Sequence, residues 1–420
     1  MNKTLTISFL FLLGYSLVFI PTKTVAQNGC FSGISKTEME LLLKDANPLM
    51  LKRLAEDAEM KKAQIRNLKE LLATACQAVK EGFAEQYNAK QELENIEIEI
   101  TAVNYDREIN KGNDAALPFG KISKTQIDEF YADKNNVSAF ESFLKYKLEL
   151  TTESGQIEKD RQISKDEIEQ AKQYFAKTRI YYTESQKKAD SLSKEFWDKT
   201  AISVKLQKAS FLSRIYSEKV LREKAKVTDA EIQNYIAAHP EYDTKVQKAK
   251  AYKILQRIEA GENFAKLAKE FSEDPASKDK GGLYQKVNAG QFMLEFEKAA
   301  LSLKVGEIYQ NLVETSYGFH IIKLEGKRQI KNANGEMIWN YDVRHILVST
   351  AINDENNPIN RPIPVREFVK TKLETEKETV ILNKILSDNP IEVAEDFVIP
   401  QVTDEEIQKQ IRQNSQNFQD

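Results

Sequence analysis

The feature of this sequence that most constrains its fold is a long stretch without proline. The 420-residue chain contains 10 prolines, and none lies between Pro118 and Pro240. Proline is rare inside helices because it lacks a backbone N–H and its ring clashes with the preceding turn. Glycine, which also disfavours helix, is present only 15 times. The sequence therefore predicts long uninterrupted helices, with strands confined to a minority of the chain.

One local pattern marks where helices begin. It consists of an apolar residue, Ser or Thr, two further residues, Glu or Gln, and a second apolar residue. The hydroxyl can accept from the amide three residues on, the Glu or Gln can reach back, and the apolar pair can pack together. Five copies predict five helix starts: ISKTEM at 34–39, ISKTQI at 122–127, ISKDEI at 163–168, VTDAEI at 227–232 and VTDEEI at 402–407. Their spacing is too irregular for a repeated module.

Length and charge set further limits. A chain of 420 residues is long enough for two or three domains. A formal net charge of -3 with 30% charged residues gives no global electrostatic reason to bind nucleic acid or anionic lipid. Helical periodicity runs from about residue 34 to 109, breaks around 113–119, and resumes from about residue 123.

The first 26 residues predict a secretory signal peptide. A polar, lysine-containing start precedes an apolar run from Leu5 to Ile20, and small residues end at Ala26. An uncleaved membrane anchor is the alternative, because the run is of borderline length for spanning a bilayer.

Two cysteines lie beyond this segment, Cys30 and Cys76. In an exported protein they could form one disulfide, which is the interpretation we favour. The alternative is that Cys76 is simply a small buried residue of the apolar helix LKELLATACQAV.

Three motifs occur in order in the second half of the chain. They are AGENFAKLAKEFSEDPASKDKGG at 260–282, GQFMLEFEKAALSLKVGEI at 290–308 and ETSYGFHIIKL at 314–324. With these motifs, the segment from about Val246 to Lys327 closely resembles the parvulin family of peptidyl-prolyl cis/trans isomerases. The secreted SurA- and PrsA-type relatives, in which a helical chaperone region flanks the isomerase, are similar. The resemblance implies an α+β protein with a helix-rich region and a small domain built on a four-stranded antiparallel sheet.

One strand is out of its usual place. Parvulins usually begin with a strand of the form RHILV that leads directly into the first helix, whereas here KAKAYKILQRI is preceded by no such strand. The stretch YDVRHILVST, at 341–350, instead follows the last strand of the domain. Because those two strands are antiparallel neighbours in the family, the resemblance implies a circularly permuted parvulin. The rival interpretation is a second, truncated parvulin, but the following NPINRPIPV and charged helix lack the rest of the motif.

The turn before this strand determines its register. A two-residue hairpin at Asn334-Gly335 would place His320 opposite Ser349. A six-residue loop at 330–335 would place His320 opposite His345. The longer loop is favoured because the family keeps two histidines side by side on these strands.

The predicted organisation has four parts. A signal peptide occupies 1–26, and a helical chaperone-like region occupies 27–240. The parvulin domain occupies 241–350, with its first strand supplied by 341–350. By analogy with SurA-like chaperones, a C-terminal helix and extended tail at 351–420 would pack back on the helical region.

The family motif implies roles for seven residues. Four would form the catalytic network beside the rotating amide: Asp274, Thr315, His320 and His345. Three would bind the substrate, with Tyr284 at the rim of the pocket: Tyr284, Phe292 and Phe296. The sequence departs from the family in GGLYQKV, which lacks the acidic residue and later glycine common after the glycine pair.

Each assignment has a simpler structural explanation. A Phe pair four apart on a helix is often core. Asp274, just before Pro275, could cap a helix end, and a buried strand histidine can simply satisfy a hydrogen bond. The third histidine, His239, is predicted at a helix end. Two histidines without a nearby Cys or carboxylate at ligand spacing are too few for a metal site.

The predicted function is peptidyl-prolyl cis/trans isomerisation that assists the folding of exported proteins. No bond is broken in this reaction, so no nucleophile, cofactor or metal is expected. The expected partners are unfolded or folding exported polypeptides with X-Pro bonds, and not nucleic acid. The alternative is a periplasmic holdase with a vestigial, non-catalytic parvulin domain. The expected location is the periplasm or envelope of a Gram-negative bacterium, and the oligomeric state is left open.

Overall fold

The computed structural model describes residues 30–113, 117–153, 161, 163–331, 335–352 and 363–408. The predicted signal peptide, 1–26, lies outside these ranges. The chain folds as two units: one holds described residues up to Lys224 and from Glu378 onward, and the other is Ala225–Lys377. The predicted domain boundaries, which place the main break after residue 240, remain predictions.

The part of the first unit that precedes residue 225 is helical. A short π-helical turn, Ser217–Leu221, joins its last two helices. The helices are α1 (Lys36–Lys44), α2 (Pro48–Glu56), α3 (Ala58–Lys80), α4 (Tyr87–Ile109), α5 (Lys124–Ala132), α6 (Lys134–Glu153), α7 (Lys165–Lys187), α8 (Lys194–Tyr216) and α9 (Arg222–Ala225).

All five predicted helix starts are confirmed. In each, the Ser or Thr hydroxyl accepts from the amide three residues on, and the Glu or Gln side chain accepts from the capping residue's own amide. The pairs are Ser35 with Glu38, Ser123 with Gln126, Ser164 with Glu167, Thr228 with Glu231, and Thr403 with Glu406. The predicted break near residues 113–119 separates α4 from α5.

The two ends of the described chain meet in the first unit. Cys30 and Cys76 form a disulfide with their Cα atoms 4.9 Å apart, which confirms the favoured prediction. Ile34 pairs with Val393 in a parallel bridge. The Ile34 amide donates to the Glu392 carbonyl at 2.8 Å. Within the described residues, no helix has both the length and the apolar character needed to cross a membrane.

The second unit contains the strands. Its helices are α10 (Asp229–Ala238), α11 (Lys245–Glu259), α12 (Phe264–Phe271), α13 (Leu294–Ser302) and the start of α14 (Val365–Asp388). Its strands are β1 (Leu283–Asn288), β2 (Val313–Thr315), β3 (Gly318–Lys331), β4 (Met337–Ser349), β5 (Ala351–Ile352) and β6 (Ile363–Pro364).

The main sheet has the order β1-β4-β3-β2, with every neighbouring pair antiparallel. One face buries Ile321, Ile346 and Val348 with residues of α11 and α12. The other face buries Ile322 and Tyr341 with residues of α13. The predicted α+β class, helix-rich with a four-stranded antiparallel sheet, is confirmed.

The strand predicted from YDVRHILVST lies inside this sheet. It forms most of β4, between β1 and β3. The circular permutation remains a prediction, because it concerns how this chain order relates to that of the family.

The predicted register of β3 and β4 is wrong. His320 pairs with Leu347 and His345 pairs with Ile322, so the two histidines are diagonal neighbours. The pairing shifts by one residue between Leu324 and Gly326. Both predicted registers assume that residues pair without interruption from the turn onward. Neither includes this shift. Diagonal neighbours still share a face, so the side chains can meet.

Candidate active site

Two buried histidines lie on adjacent strands. His320 on β3 and His345 on β4 are 5% and 4% exposed. Their rings are stacked with centroids 5.4 Å apart, and their Nδ1 atoms are 3.1 Å apart. Thr315, at the end of β2, places its Oγ1 2.8 Å from His320 Nε2. The sheet therefore aligns three polar side chains in a row.

These groups can form one continuous hydrogen-bonded chain. The Tyr317 amide donates to Thr315 Oγ1 at 3.2 Å, which leaves the threonine hydroxyl hydrogen for His320 Nε2. With both rings neutral, His320 Nδ1–H then donates to His345 Nδ1, and His345 Nε2–H donates to Asp274 Oδ2 at 3.0 Å. Each bond in this arrangement has one hydrogen, so the chain ends on the carboxylate of Asp274.

Burial makes the first histidine resistant to protonation. Burial and, to a smaller extent, the neighbouring His345 lower the pKa of His320 to about 3, against the opposing effect of Asp274. A charged imidazolium loses its hydration at this position, so the neutral ring is favoured.

Two hydrogen bonds to β4 position Asp274. The Glu273 amide donates to the Leu347 carbonyl at 2.8 Å, and the Leu347 amide donates to Ser272 Oγ at 3.2 Å. The segment after α12 is thereby held against the strand that carries His345. Asp274 follows at once and reaches the imidazole.

Three donors converge on one oxygen of Asp274. His345 Nε2 and Tyr284 OH each lie 3.0 Å from Oδ2, and the Ser277 hydroxyl also donates to it. Burial alone would raise the pKa of Asp274, but the hydrogen bonds from His345 and Ser277 hold the pKa well below its ordinary value. Burial, together with the bond to Asp274, raises the pKa of Tyr284 to about 12. The site therefore contains an ionised carboxylate beside a neutral phenol.

A glycine allows the loop before β1 to touch β4. The His345 amide donates to the Gly282 carbonyl at 2.9 Å. A Cβ on Gly282 would lie 2.2 Å from the His345 carbonyl oxygen, and the φ angle of +78° also favours glycine. This close approach places Tyr284 next to the histidines.

Aromatic rings cover the network. Phe296 on α13 is 2% exposed, and its ring centroid lies 5.3 Å from that of His320 and 5.4 Å from that of His345. Phe292 is half-buried, 5.0 Å from Phe296 and 5.1 Å from Tyr284 by ring centroids.

The two phenylalanines do not share a helix. α13 begins at Leu294, so Phe292 precedes it, and the simpler explanation of a Phe pair four apart on one helix does not apply. Gly290 has a φ of +94°, and its amide donates to the Glu297 carboxylate. This bond across seven residues holds a turn ahead of α13, and Phe292 lies in it.

The structure brings all seven predicted residues together, although their roles remain predictions. Ser277 was missed, because its partners Asp274 and His345 are joined by tertiary folding. A weak sequence signal exists, since serine three residues after aspartate in a proline-containing turn can meet its side chain. His239, predicted at a helix end, is the C-cap of α10 and contacts none of the seven.

Comparisons with known proteins agree with the resemblance. Residues 211–328 match the family model of the PPIC-type PPIASE domain. The chain therefore carries a parvulin-type domain, as the motifs predict. The matched range ends before β4 begins.

Similar curated proteins are foldases. "Foldase protein PrsA" of Caldanaerobacter subterraneus is 35% identical over 180 residues, 40% of this chain and 56% of the relative. "Foldase protein PrsA 4" of Bacillus cereus is 39% identical over 116 residues, 26% of this chain and 39% of the relative. The chain thus spans about half the length, or less, of these relatives.

Solved structures give weaker matches. One of two SurA-like chaperones of Campylobacter jejuni is 19% identical, with 65% of this chain and 95% of the other covered, at a TM-score of 0.18. A peptidylprolyl isomerase, PrsA, from Bacillus cereus is 17% identical, with 72% and 98% covered, at a TM-score of 0.17. Scores this low carry no argument about the whole chain.

Proposed function

We propose that the protein is a parvulin-type peptidyl-prolyl cis/trans isomerase that assists the folding of exported proteins. The observation that carries the proposal is the hydrogen-bonded chain from Thr315 through both histidines to Asp274, covered by aromatic rings. The match of residues 211–328 to the PPIC-type family model supports it.

The reaction requires rotation about an amide. Resonance sets a barrier of about 18–20 kcal/mol for this rotation, and uncatalysed exchange takes roughly 10–100 s. The planar amide is stabilised by charge separation between nitrogen and oxygen, and the twisted amide loses most of it. An enzyme therefore accelerates rotation by binding the twisted form better than either planar isomer.

The residues of the site fit this requirement. Phe292 offers an apolar surface for the proline ring, with the buried Phe296 packed against it and Tyr284 beside it. An apolar surface removes water from the amide and disfavours its charge-separated planar form. The ionised Asp274 acts in the same direction, because a negative charge near the carbonyl oxygen opposes the build-up of charge there.

The remaining network fixes these groups in place. His345 donates to Asp274, and His320 and Thr315 hold the ring of His345 in one orientation. Preorganised groups need no rearrangement when the amide twists, and this preserves their effect on the barrier. We assign Asp274, Thr315, His320 and His345 to the catalytic network, and Tyr284, Phe292 and Phe296 to substrate binding.

We further propose that the domain is a circularly permuted parvulin. β4 follows β3 in the chain yet lies between β1 and β3, antiparallel to both. The family match ends at residue 328, so β4 comes after the segment that the family model recognises.

Two features support exported proteins as the clients. The signal-like first 26 residues and the disulfide between Cys30 and Cys76 both suit an oxidising compartment outside the cytoplasm. The proposed clients are unfolded or folding exported polypeptides with X-Pro bonds, and the proposed location is the periplasm or envelope of a Gram-negative bacterium.

A protease-coupled assay on short X-Pro peptides tests the activity. Residues 27–420 should accelerate isomerisation, and Phe292→Ala and Asp274→Asn should each lower kcat/KM by about tenfold or more. Asp279→Asn is the matched control, because Asp279 is an exposed carboxylate in the same loop. All variants should keep the wild-type circular dichroism spectrum.

The contrary result points to a different function. If the wild-type protein gives no acceleration, the isomerase proposal fails and the holdase with a vestigial parvulin domain replaces it. The departure from the family in GGLYQKV, where Lys286 has a φ of +56°, is the observation that favours this second function. Suppression of the aggregation of an unfolded client would then be measured.

A further inference from the structure

We infer that Ser277 is a positioning residue of this site, fixing the Asp274 carboxylate through Oδ2 and leaving Oδ1 available to the peptide. The inference rests on the proposed function and adds a residue to it. Ser277 has no exposed surface. It lies in the loop between α12 and β1, 68 residues from His345 in sequence.

The Ser277 hydroxyl is placed between two groups of the network. It donates to Asp274 Oδ2, and its oxygen lies 3.2 Å from His345 Nε2. A serine hydroxyl has one hydrogen and two lone pairs. With the hydrogen committed to Asp274, its oxygen can accept from His345 Nε2–H, which also lies 3.0 Å from Asp274. Aspartate, serine and imidazole thus form a closed triangle of hydrogen bonds.

The backbone holds Ser277 in this position. The Lys278 amide donates to the Asp274 carbonyl at 3.0 Å, which closes one turn around Ser277. The amides of Lys280 and Gly282 both donate to the Ser277 carbonyl, at 2.9 and 2.8 Å. The Gly282 carbonyl in turn accepts from the His345 amide, so hydrogen bonds connect this turn to β4.

The two oxygens of Asp274 have different surroundings. Oδ2 accepts from Ser277, Tyr284 and His345. Among the described residues, Oδ1 has a single hydrogen bond, from the Ala276 amide at 3.4 Å. Hydrogen bonds to an ionised acceptor are the strong ones, so the donors fix the carboxylate through Oδ2. Oδ1 remains able to act on a bound peptide.

The groups that surround Asp274 determine its protonation state. His345 faces it from β4, Tyr284 from β1 and Ser277 from its own loop, with His320 one step further along the network. Without the Ser277 hydroxyl, Oδ2 of the ionised Asp274 loses one of its three donors. Its pKa should then rise, because hydrogen bonds to the charged form lower a carboxyl pKa.

Two readouts on the intact protein test this inference. Ser277→Ala should raise the titration midpoint of the Asp274 carboxyl carbon, followed by ¹³C NMR, by about one pH unit. It should also move the acid limb of kcat/KM to higher pH and lower kcat/KM at pH 7 by about three- to tenfold. Ser302→Ala is the matched control, because that hydroxyl donates to the Ala299 carbonyl at the end of α13 and contacts none of the network.

The outcomes separate this inference from the proposed function. An inactive wild-type protein overturns the isomerase proposal. An unchanged Asp274 midpoint in a folded Ser277→Ala variant overturns only the role of Ser277. Should the variant not fold, the wild-type protein decides: a slowly exchanging, downfield-shifted Ser277 hydroxyl proton supports the bond to Asp274, and a rapidly exchanging one contradicts it.

Discussion

His320 links protonation to the stability of the second unit. Its pKa is lowered to about 3 by burial and by His345, whereas an unfolded histidine titrates near 6.5. Between these two pH values the unfolded chain binds a proton that the folded chain does not. The free energy of unfolding therefore falls as the pH drops below about 6.5, by up to roughly 1.4 kcal/mol per pH unit.

Asp274 affects stability in a different pH range. The pKa of Asp274 in the folded protein is held below its ordinary value of 3.8. Asp274 therefore stabilises the fold above pH 3.8, and this stabilisation is lost as the pH falls from 3.8 to the folded pKa. A measurement between pH 6.5 and 4.5 therefore reports on His320 without interference from Asp274.

His320→Gln should remove part of this acid sensitivity. We expect the wild-type protein to lose roughly 2 kcal/mol more stability than the variant between pH 6.5 and 4.5. Trp197→Phe leaves Trp339 as the single tryptophan, and its fluorescence reports urea unfolding of the second unit. His239→Gln provides the comparison for a histidine removed outside the network. Equal losses in wild type and His320→Gln would contradict the burial argument.

At the scale of elements, the helix starts were predictable from the residues alone, whereas the strand register was not. Helix starts such as Ser35 and Thr228 depend on residues three apart, so the sequence contains the whole signal. The register of β3 and β4 depends on the shift near Glu325. The carboxylate of Glu325 accepts from Arg344 on the neighbouring strand at 3.0 Å. No spacing within one strand encodes such a contact, and the missed role of Ser277 has the same cause.

The loop before β1 contacts β4 at Gly282, and Gly290 provides a matched control for that contact. Gly282 and Gly290 both have positive φ, at +78° and +94°. A Cβ at Gly282 would meet the His345 carbonyl at 2.2 Å, whereas one at Gly290 would meet nothing within 4 Å. The difference between the two alanine variants therefore isolates the steric contact from the backbone strain, which is about 1–2 kcal/mol in each.

Gly282→Ala should destabilise the second unit much more than Gly290→Ala. We expect the extra loss to be at least about 2 kcal/mol, because backbone at this site cannot yield as a flexible side chain would. The stability of each variant is measured by urea unfolding, with Trp339 fluorescence as the signal. The proposed isomerase activity should fall in Gly282→Ala and persist in Gly290→Ala. Similar stability in the two variants would show that the loop can move away from β4 without loss.

At the scale of the whole molecule, the first unit is assembled from distant parts of the chain. Residues from Glu378 onward rejoin the residues up to Lys224. Gly33 lies so close to the returning segment that a Cβ would be 2.0 Å from the Glu392 carbonyl oxygen. The disulfide between Cys30 and Cys76 attaches the segment that contains Gly33 to α3. The covalent link therefore secures the region where the two ends of the described chain meet.

Reduction of the disulfide should weaken the first unit alone. A link across 46 residues restricts the unfolded chain and, on the loop-entropy model, stabilises the fold by about 4 kcal/mol. We expect dithiothreitol to lower the urea midpoint reported by Trp197 in a Trp339→Phe background. The Trp339 transition and the proposed isomerase activity should stay unchanged, because Trp339 and the seven candidate site residues all lie in the second unit. Cys30→Ala with Cys76→Ala should show the lowered midpoint and no response to dithiothreitol. An equal shift of both tryptophan transitions would instead mean that the two units unfold together.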